Sequence, residues 1–151
     1  MFQHQTTISK TIRVQGVGLH SGEQVQVVVR PAPVGTGIVF VRTDLTKAVM
    51  IEAKVENVVS TALATTLGTD GASLGTVEHV MSAIYALGIS NLFIDINGPE
   101  VPVLDGSASP WVDAIVNAGL VYQKAPVSRL VVKKEVEVRD GDKVAKLKPR
   151  G

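Results

Sequence analysis

Between Thr76 and Gly88 the apolar residues Val77, Val80, Met81, Ile84 and Leu87 recur at the spacing of one helical face, in a chain whose other apolar segments mostly alternate. No strand presents those five on one side, so the segment reads as a helix, with Thr76 capping its start and Gly88 supplying a left-handed stop. At ~100° per residue, Glu78 and His79 fall on either side of the face opposite the stripe, with Ser82, Ala83 and Ala86 between them. That outward face is small and weakly polar. Such a face suits a second layer of protein, and the Glu-His pair would then sit in the seam.

The segments before this helix read as strands. Ile8 to Leu19 and Glu23 to Arg30 form a hairpin across His20-Ser21-Gly22, with Val25, Val27 and Val29 on one face. Its turn, Gly16-Val17-Gly18-Leu19-His20-Ser21-Gly22, is rich in glycine, but a phosphate loop runs from a strand into a helix and this one runs into a strand. Pro31 to Gly37 turns the chain into a third strand, Ile38 to Val41, ended by Arg42-Thr43-Asp44. Val49 to Leu67 is β-prone, and Thr61 to Leu67 is its clearest strand because it alternates and is rich in Thr. The loop Gly68-Thr69-Asp70-Gly71 leads to the helix. Asn91 to Ile96 is a compact strand, Val101 to Leu104 a short extended piece broken by Pro102, and Trp111 to Ala118 a second helix capped by Ser109 and ended by Gly119. Strands in a run followed by helices favour an α+β two-layer sandwich: one mostly antiparallel sheet with both helices on one face.

After Gln123-Lys124-Ala125-Pro126 the opening plan recurs. Val131 to Asp140, Gly141 and Lys143 to Lys148-Pro149 repeat the order of strand, glycine turn and strand running into proline seen at Val25 to Pro31. An isolated hairpin is only marginally stable in water. The expected organisation is therefore a sandwich domain over 1–122, a linker over 123–126, and over 127–151 the first hairpin of a second, similar domain whose remainder is absent.

With 151 residues the chain is long enough to bury a core. A net charge of +1 with mixed signs and 4% aromatic residues argue against nucleic acid as a partner. The absence of cysteine excludes disulfides, thiolate metal sites and a thiol nucleophile. Met1 to Thr7 has no signal-peptide pattern and no apolar run approaches a membrane span, so the chain reads as a soluble cytoplasmic protein with no transmembrane segment.

Of the three histidines only His79 stands beside a carboxylate in an ordered element, since His4 lies in a terminal tail and His20 in a tight turn. Two readings of Glu78-His79 stand on the residues alone. One is a solvated polar pair whose acid favours a helix N-terminus by ~0.3–1 kcal/mol. The other is a functional pair, in which His79 gives a metal a neutral nitrogen ligand and Glu78 takes a proton from metal-activated water. A catalytic zinc takes about three protein ligands and keeps one open position, more than this chain offers, and the His-Glu-x-x-His motif is absent. Asp105-Gly106-Ser107 reads as turn chemistry and Trp111 as core. A different class of function is a non-catalytic module that binds a protein or nucleotide-sugar, or associates with itself, through the same helical face.

Several strings occur together and in register: Gly16-Val17-Gly18-Leu19-His20-Ser21-Gly22, Arg30-Pro31-Ala32-Pro33, Arg42-Thr43-Asp44-Leu45, Thr76-Val77-Glu78-His79 with Leu87-Gly88-Ile89, and Glu100-Val101-Pro102-Val103-Leu104-Asp105-Gly106-Ser107-Ala108. Across nearly the whole chain they resemble the N-terminal half of the UDP-3-O-acyl-N-acetylglucosamine deacetylases. The resemblance implies a cytoplasmic zinc-dependent amide hydrolase of lipid A synthesis in Gram-negative bacteria, built of two similar α+β domains with the site in the seam. It makes Zn2+ the cofactor, His79 a zinc ligand and Glu78 the general base, and it places the other two ligands in a C-terminal domain. Leu63 and Ala64 fall in a loop beside the substrate; several relatives carry a larger residue and a cysteine where this chain has Ala62 and Ala64. The ending Lys148-Pro149-Arg150-Gly151 departs from the family pattern. A chain holding one ligand and the base is expected to be inactive alone.

Overall fold

The structure is a computed structural model that describes residues 3–69 and 71–149. Met1 and Phe2 of the expected tail, Asp70 of the loop before the helix, and the terminal Arg150 and Gly151 lie outside the described residues. Among the described residues the fold is α+β, centred on a five-stranded sheet. In chain order the strands are β1 (His4–Ile8), β2 (Ile12–Val17), β3 (Gln24–Pro31), β4 (Ile38–Arg42), β5 (Val49–Glu52), β6 (Val58–Ser60), β7 (Thr66–Thr69) and β8 (Ala72–Leu74). Helix α1 (Glu78–Ala86), β9 (Leu92–Ile96), α2 (Ser109–Ala118), β10 (Leu120–Pro126), β11 (Val136–Asp140) and β12 (Lys143–Leu147) complete it.

The main sheet runs β2-β3-β9-β4-β5, antiparallel except where β9 lies parallel to β4. Alternation decides its buried face: Val27 and Val29 of β3 stand opposite Ile96 and Ile94 of β9, and Phe40 of β4 stands beside Ile94 and opposite Ile51 of β5. These side chains share one core with Val80, Ala83 and Ile84 of α1 and Trp111, Ile115 and Ala118 of α2, so both helices cover the same face. The expected sandwich is what forms. A three-stranded sheet, β6-β7-β8, stands beside it, and the core also takes in Leu67 and Leu74 of that sheet.

Several local expectations are corrected. The first strand does not run unbroken from Ile8 to Leu19: it stops at Ser9, and β1 pairs with β10 while only β2 forms the hairpin with β3. His4 thus lies in a paired strand, not a tail. Asn91 joins the β1–β10 ribbon to the main sheet, donating to Gln5 and Gln123 at 2.8 and 2.7 Å and accepting Gly37 N–H at 2.8 Å. Residues 123–126, expected as a linker, lie in β10. Residues 61–65 form a bend in place of the expected strand, because Leu63 adopts φ 63°, which no pleated strand accommodates. Ala83 is fully buried, not outward, and the outward face of α1 instead carries Tyr85, 87% exposed, beside Ser82 and Ala86.

Neither cap forms as read. The capping positions are Val77 and Ala108, without side-chain capping bonds. Ser109 is already helical, and its N–H is taken by Ser107 Oγ at 3.1 Å. The far end of α1 closes as expected: Gly88 has φ 66°, its N–H reaches Tyr85 O at 3.1 Å, and Ile89 N–H reaches Ile84 O at 3.0 Å. Those two bonds form a Schellman motif. The expected hairpin forms around Gly141 as β11–β12, Val136 opposite Leu147, with every strand residue exposed, but its first strand begins at Val136 and not at Val131.

Candidate active site

The entry to α1 is built by a parallel bridge between Gly75 and Glu100. Gly75 N–H donates to Pro99 O at 2.9 Å and accepts Val101 N–H at 3.0 Å through its carbonyl, so the chain leaving β8 is pinned to the segment after β9. From there it must turn sharply into the helix, and it does so at Thr76, with φ 57°. A β-branched residue in the left-handed region is a conformational outlier. Two residues later Glu78 projects, half-buried, and its Oε2 accepts the Thr65 N–H at 3.1 Å. The carboxylate is thereby held against the 61–65 bend.

That bend and Thr76 share an open groove of about 520 Å³ with His20, Ser21, Thr66, Ser73, Gly75, Pro99 and Glu100. Ala62, Leu63 and Ala64 line it, so both residues assigned to the substrate loop are brought to one cavity. Leu63 is 93% exposed there. Neither Glu78 nor His79 lines the groove; Glu78 is tied to it through the Thr65 N–H, whose neighbours Ala64 and Thr66 form part of the wall.

Glu100 was not singled out by the residue pattern. It is 4% exposed, and both its oxygens are surrounded by donors. His20 N–H reaches Oε1 and Oε2 at 3.1 and 3.0 Å, Ser21 N–H reaches Oε2 at 2.8 Å, and the Thr76 hydroxyl reaches Oε1 at 2.8 Å. Burial by itself pushes this carboxyl up, but the hydrogen bonds from Ser21, Thr76 and His20 outweigh it and hold the group below the ordinary carboxylate range. The glycine turn between β2 and β3 is therefore an anion-binding nest after all, and its anion is internal. Gly18 is required by that contact: a Cβ there would lie 2.6 Å from Glu100 Oε2 and 2.2 Å from Ser21 Oγ. The readable signal was a turn with free N–H groups and a single Glu in a Pro-x-Val-Pro segment.

His79, beside Glu78 in the first turn, is half-buried. Asp105, Gly106 and Ser107 form the expected turn, with Ser107 N–H and Oγ each 2.9 Å from Asp105 Oδ1. Those hydrogen bonds hold the Asp105 carboxyl below its usual range, with a small further lowering from the charge of His79. Among the described residues no group of three His, Asp or Glu side chains could hold a metal ion. His79 can offer one nitrogen ligand beside the Glu78 carboxylate, and among the described residues no further ligands are grouped with it.

Comparison with known proteins places this geometry in a family. A family model described as UDP-3-O-acyl N-acetylglycosamine deacetylase matches residues 5–151. The chain is similar to the UDP-3-O-acyl-N-acetylglucosamine deacetylase of Myxococcus xanthus, 56% identical over 97% of this chain and 46% of the relative. It is also similar to those of Geotalea uraniireducens, 52% identical over 92% and 45%, and Chromohalobacter salexigens, 50% identical over 96% and 48%. The chain spans about half the length of these curated relatives.

Proposed function

Since this chain belongs to the UDP-3-O-acyl N-acetylglycosamine deacetylase family, we propose that it forms part of an enzyme that hydrolyses the N-acetyl group of UDP-3-O-acyl-N-acetylglucosamine in lipid A biosynthesis. The observation that carries the reading is the placement of Glu78 and His79 in one helical turn, with the Glu78 carboxylate bound by the Thr65 N–H, between two residues that line the groove. Glu78 Oε2 is engaged, which leaves Oε1 to accept a proton from a water beside the scissile amide and to return it to the departing amine. His79 offers an imidazole nitrogen to a zinc ion. Zinc, when bound, supplies Lewis acidity toward the acetyl carbonyl. Leu63 and Ala64 line the groove that receives part of the substrate.

On this reading the residues up to the end of β10 at Pro126 are one α+β half, 127–151 begin a second similar half, and the remaining ligands come from that second half. The reaction takes place in the cytoplasm; among the described residues no helix is long and apolar enough to cross a membrane. Glu78→Ala in the full-length protein tests the assignment. Turnover is expected to fall by roughly 10²–10⁴-fold with zinc content and fold retained. Loss of substrate binding alone would support a non-catalytic module, and turnover by the isolated chain would overturn the division of the site between two halves.

A further inference from the structure

We propose that Glu100 is a positioning residue for Glu78 and His79: by accepting the Thr76 hydroxyl it holds Thr76 in the left-handed region and so sets where the first turn of α1 is aimed. The inference rests on the reading of Glu78 and His79 as the reacting pair. Three observations carry it. Thr76 is the last residue before the Val77 cap, so its backbone angles fix the direction in which the helix starts. Its conformation is one that a β-branched residue does not hold unaided, and among the described residues its hydroxyl is held by the 2.8 Å bond to Glu100. Glu100 is itself immobilised, being 4% exposed and fixed by the His20 and Ser21 N–H groups and by the bridge to Gly75.

Every partner named for this carboxylate is a donor, so an amide in its place has only one oxygen to share among them. The effect then passes along the chain: a helix start that rotates carries the Glu78 carboxylate off the Thr65 N–H. The Thr65 amide thus reports where Glu78 points, with neither metal nor substrate present.

The experiment is NMR of the labelled chain, reading the Thr65 amide proton and its exchange together with the Cα and Cβ shifts of Thr76. Glu100→Gln is expected to move Thr76 out of the left-handed region, shift the Thr65 proton upfield and speed its exchange about tenfold. Thr76→Val, which deletes the hydroxyl and leaves Glu100 bound to the turn, gives the same signature and serves if Glu100→Gln does not fold. Thr76→Gly takes the left-handed conformation without help. It therefore leaves the Thr65 amide in place, and it restores that amide when combined with Glu100→Gln. A folded Glu100→Gln or Thr76→Val protein with an unmoved Thr65 amide overturns the proposal, as does failure of Thr76→Gly to rescue. These spectra are independent of turnover, so their outcome is separate from that of Glu78→Ala, which decides the functional reading.

Discussion

Leu63 and Thr76 both occupy left-handed backbone on the walls of one groove, a conformation that disfavours L-residues by roughly 1–2 kcal/mol each. Thr76 has a buried bond to hold it, whereas Leu63 is 93% exposed. Leu63→Gly is therefore expected to leave the urea midpoint unchanged or raise stability by up to ~1 kcal/mol, while weakening substrate affinity in the full-length protein. A clear loss of stability would show that the leucine side chain supports the fold. Glu100 makes a second prediction. Its folded pKa lies below the free value of 4.5, so the stability it contributes is full above that value and fades as pH falls through the depressed one. The Tm difference between the wild type and Glu100→Gln is accordingly expected to shrink between about pH 6 and about pH 3. A difference constant across that range would mean that the carboxylate charge is not what stabilises the turn. Little of this was legible beforehand: the αL threonine depends on a contact 24 residues away, and the Glu fed by the glycine turn on one 80 residues away.

Helices and strands with an unambiguous period were legible, and their ends were not. Val77, Val80, Ile84 and Leu87 fix α1 because no strand can bury them together, and Val25, Val27 and Val29 fix β3 because no helix can. Thr76 and Ser109 carry the right chemistry for caps, but the Thr76 oxygen is used by Glu100 and the α2 start is drawn one residue earlier by Ser107. Thr61 to Thr65 fails for a related reason, while Thr66 and Leu67 of the same expected strand do pair in β7: β-propensity describes fit to a pleated surface, and the 61–65 segment has a groove wall in place of a neighbouring strand. Gly88 was correctly placed because its requirement is local. Gly88→Ala is expected to destabilise the chain by about 1 kcal/mol in chemical denaturation, with α1 fraying from the Ile84 and Tyr85 carbonyls.

At the scale of the molecule, the α+β sandwich with both helices on one face followed from the order of elements, and the repeated hairpin from its repeated plan. Beyond the two hairpins, β2–β3 and β11–β12, no pattern in the strands announces which of them pair. The β11–β12 hairpin is exposed along its whole length, so its amides are expected to exchange orders of magnitude faster than those of β3, β4 and β9, and removal of residues 134–151 to change the stability of the rest by less than ~0.5 kcal/mol. Equal protection in hydrogen exchange would reveal a docking contact. The central place of β9 has a different consequence. It separates β3 from β4, so the β2–β3 and β4–β5 pairs share no partner until residues 92–96 arrive. On a ribosome, Glu78 and His79 emerge before the strand that closes the sheet beneath them, and the helix bearing them waits for a pairing many residues distant. Nascent chains of this protein are therefore most exposed to misassembly in the interval between the synthesis of β5 and that of β9.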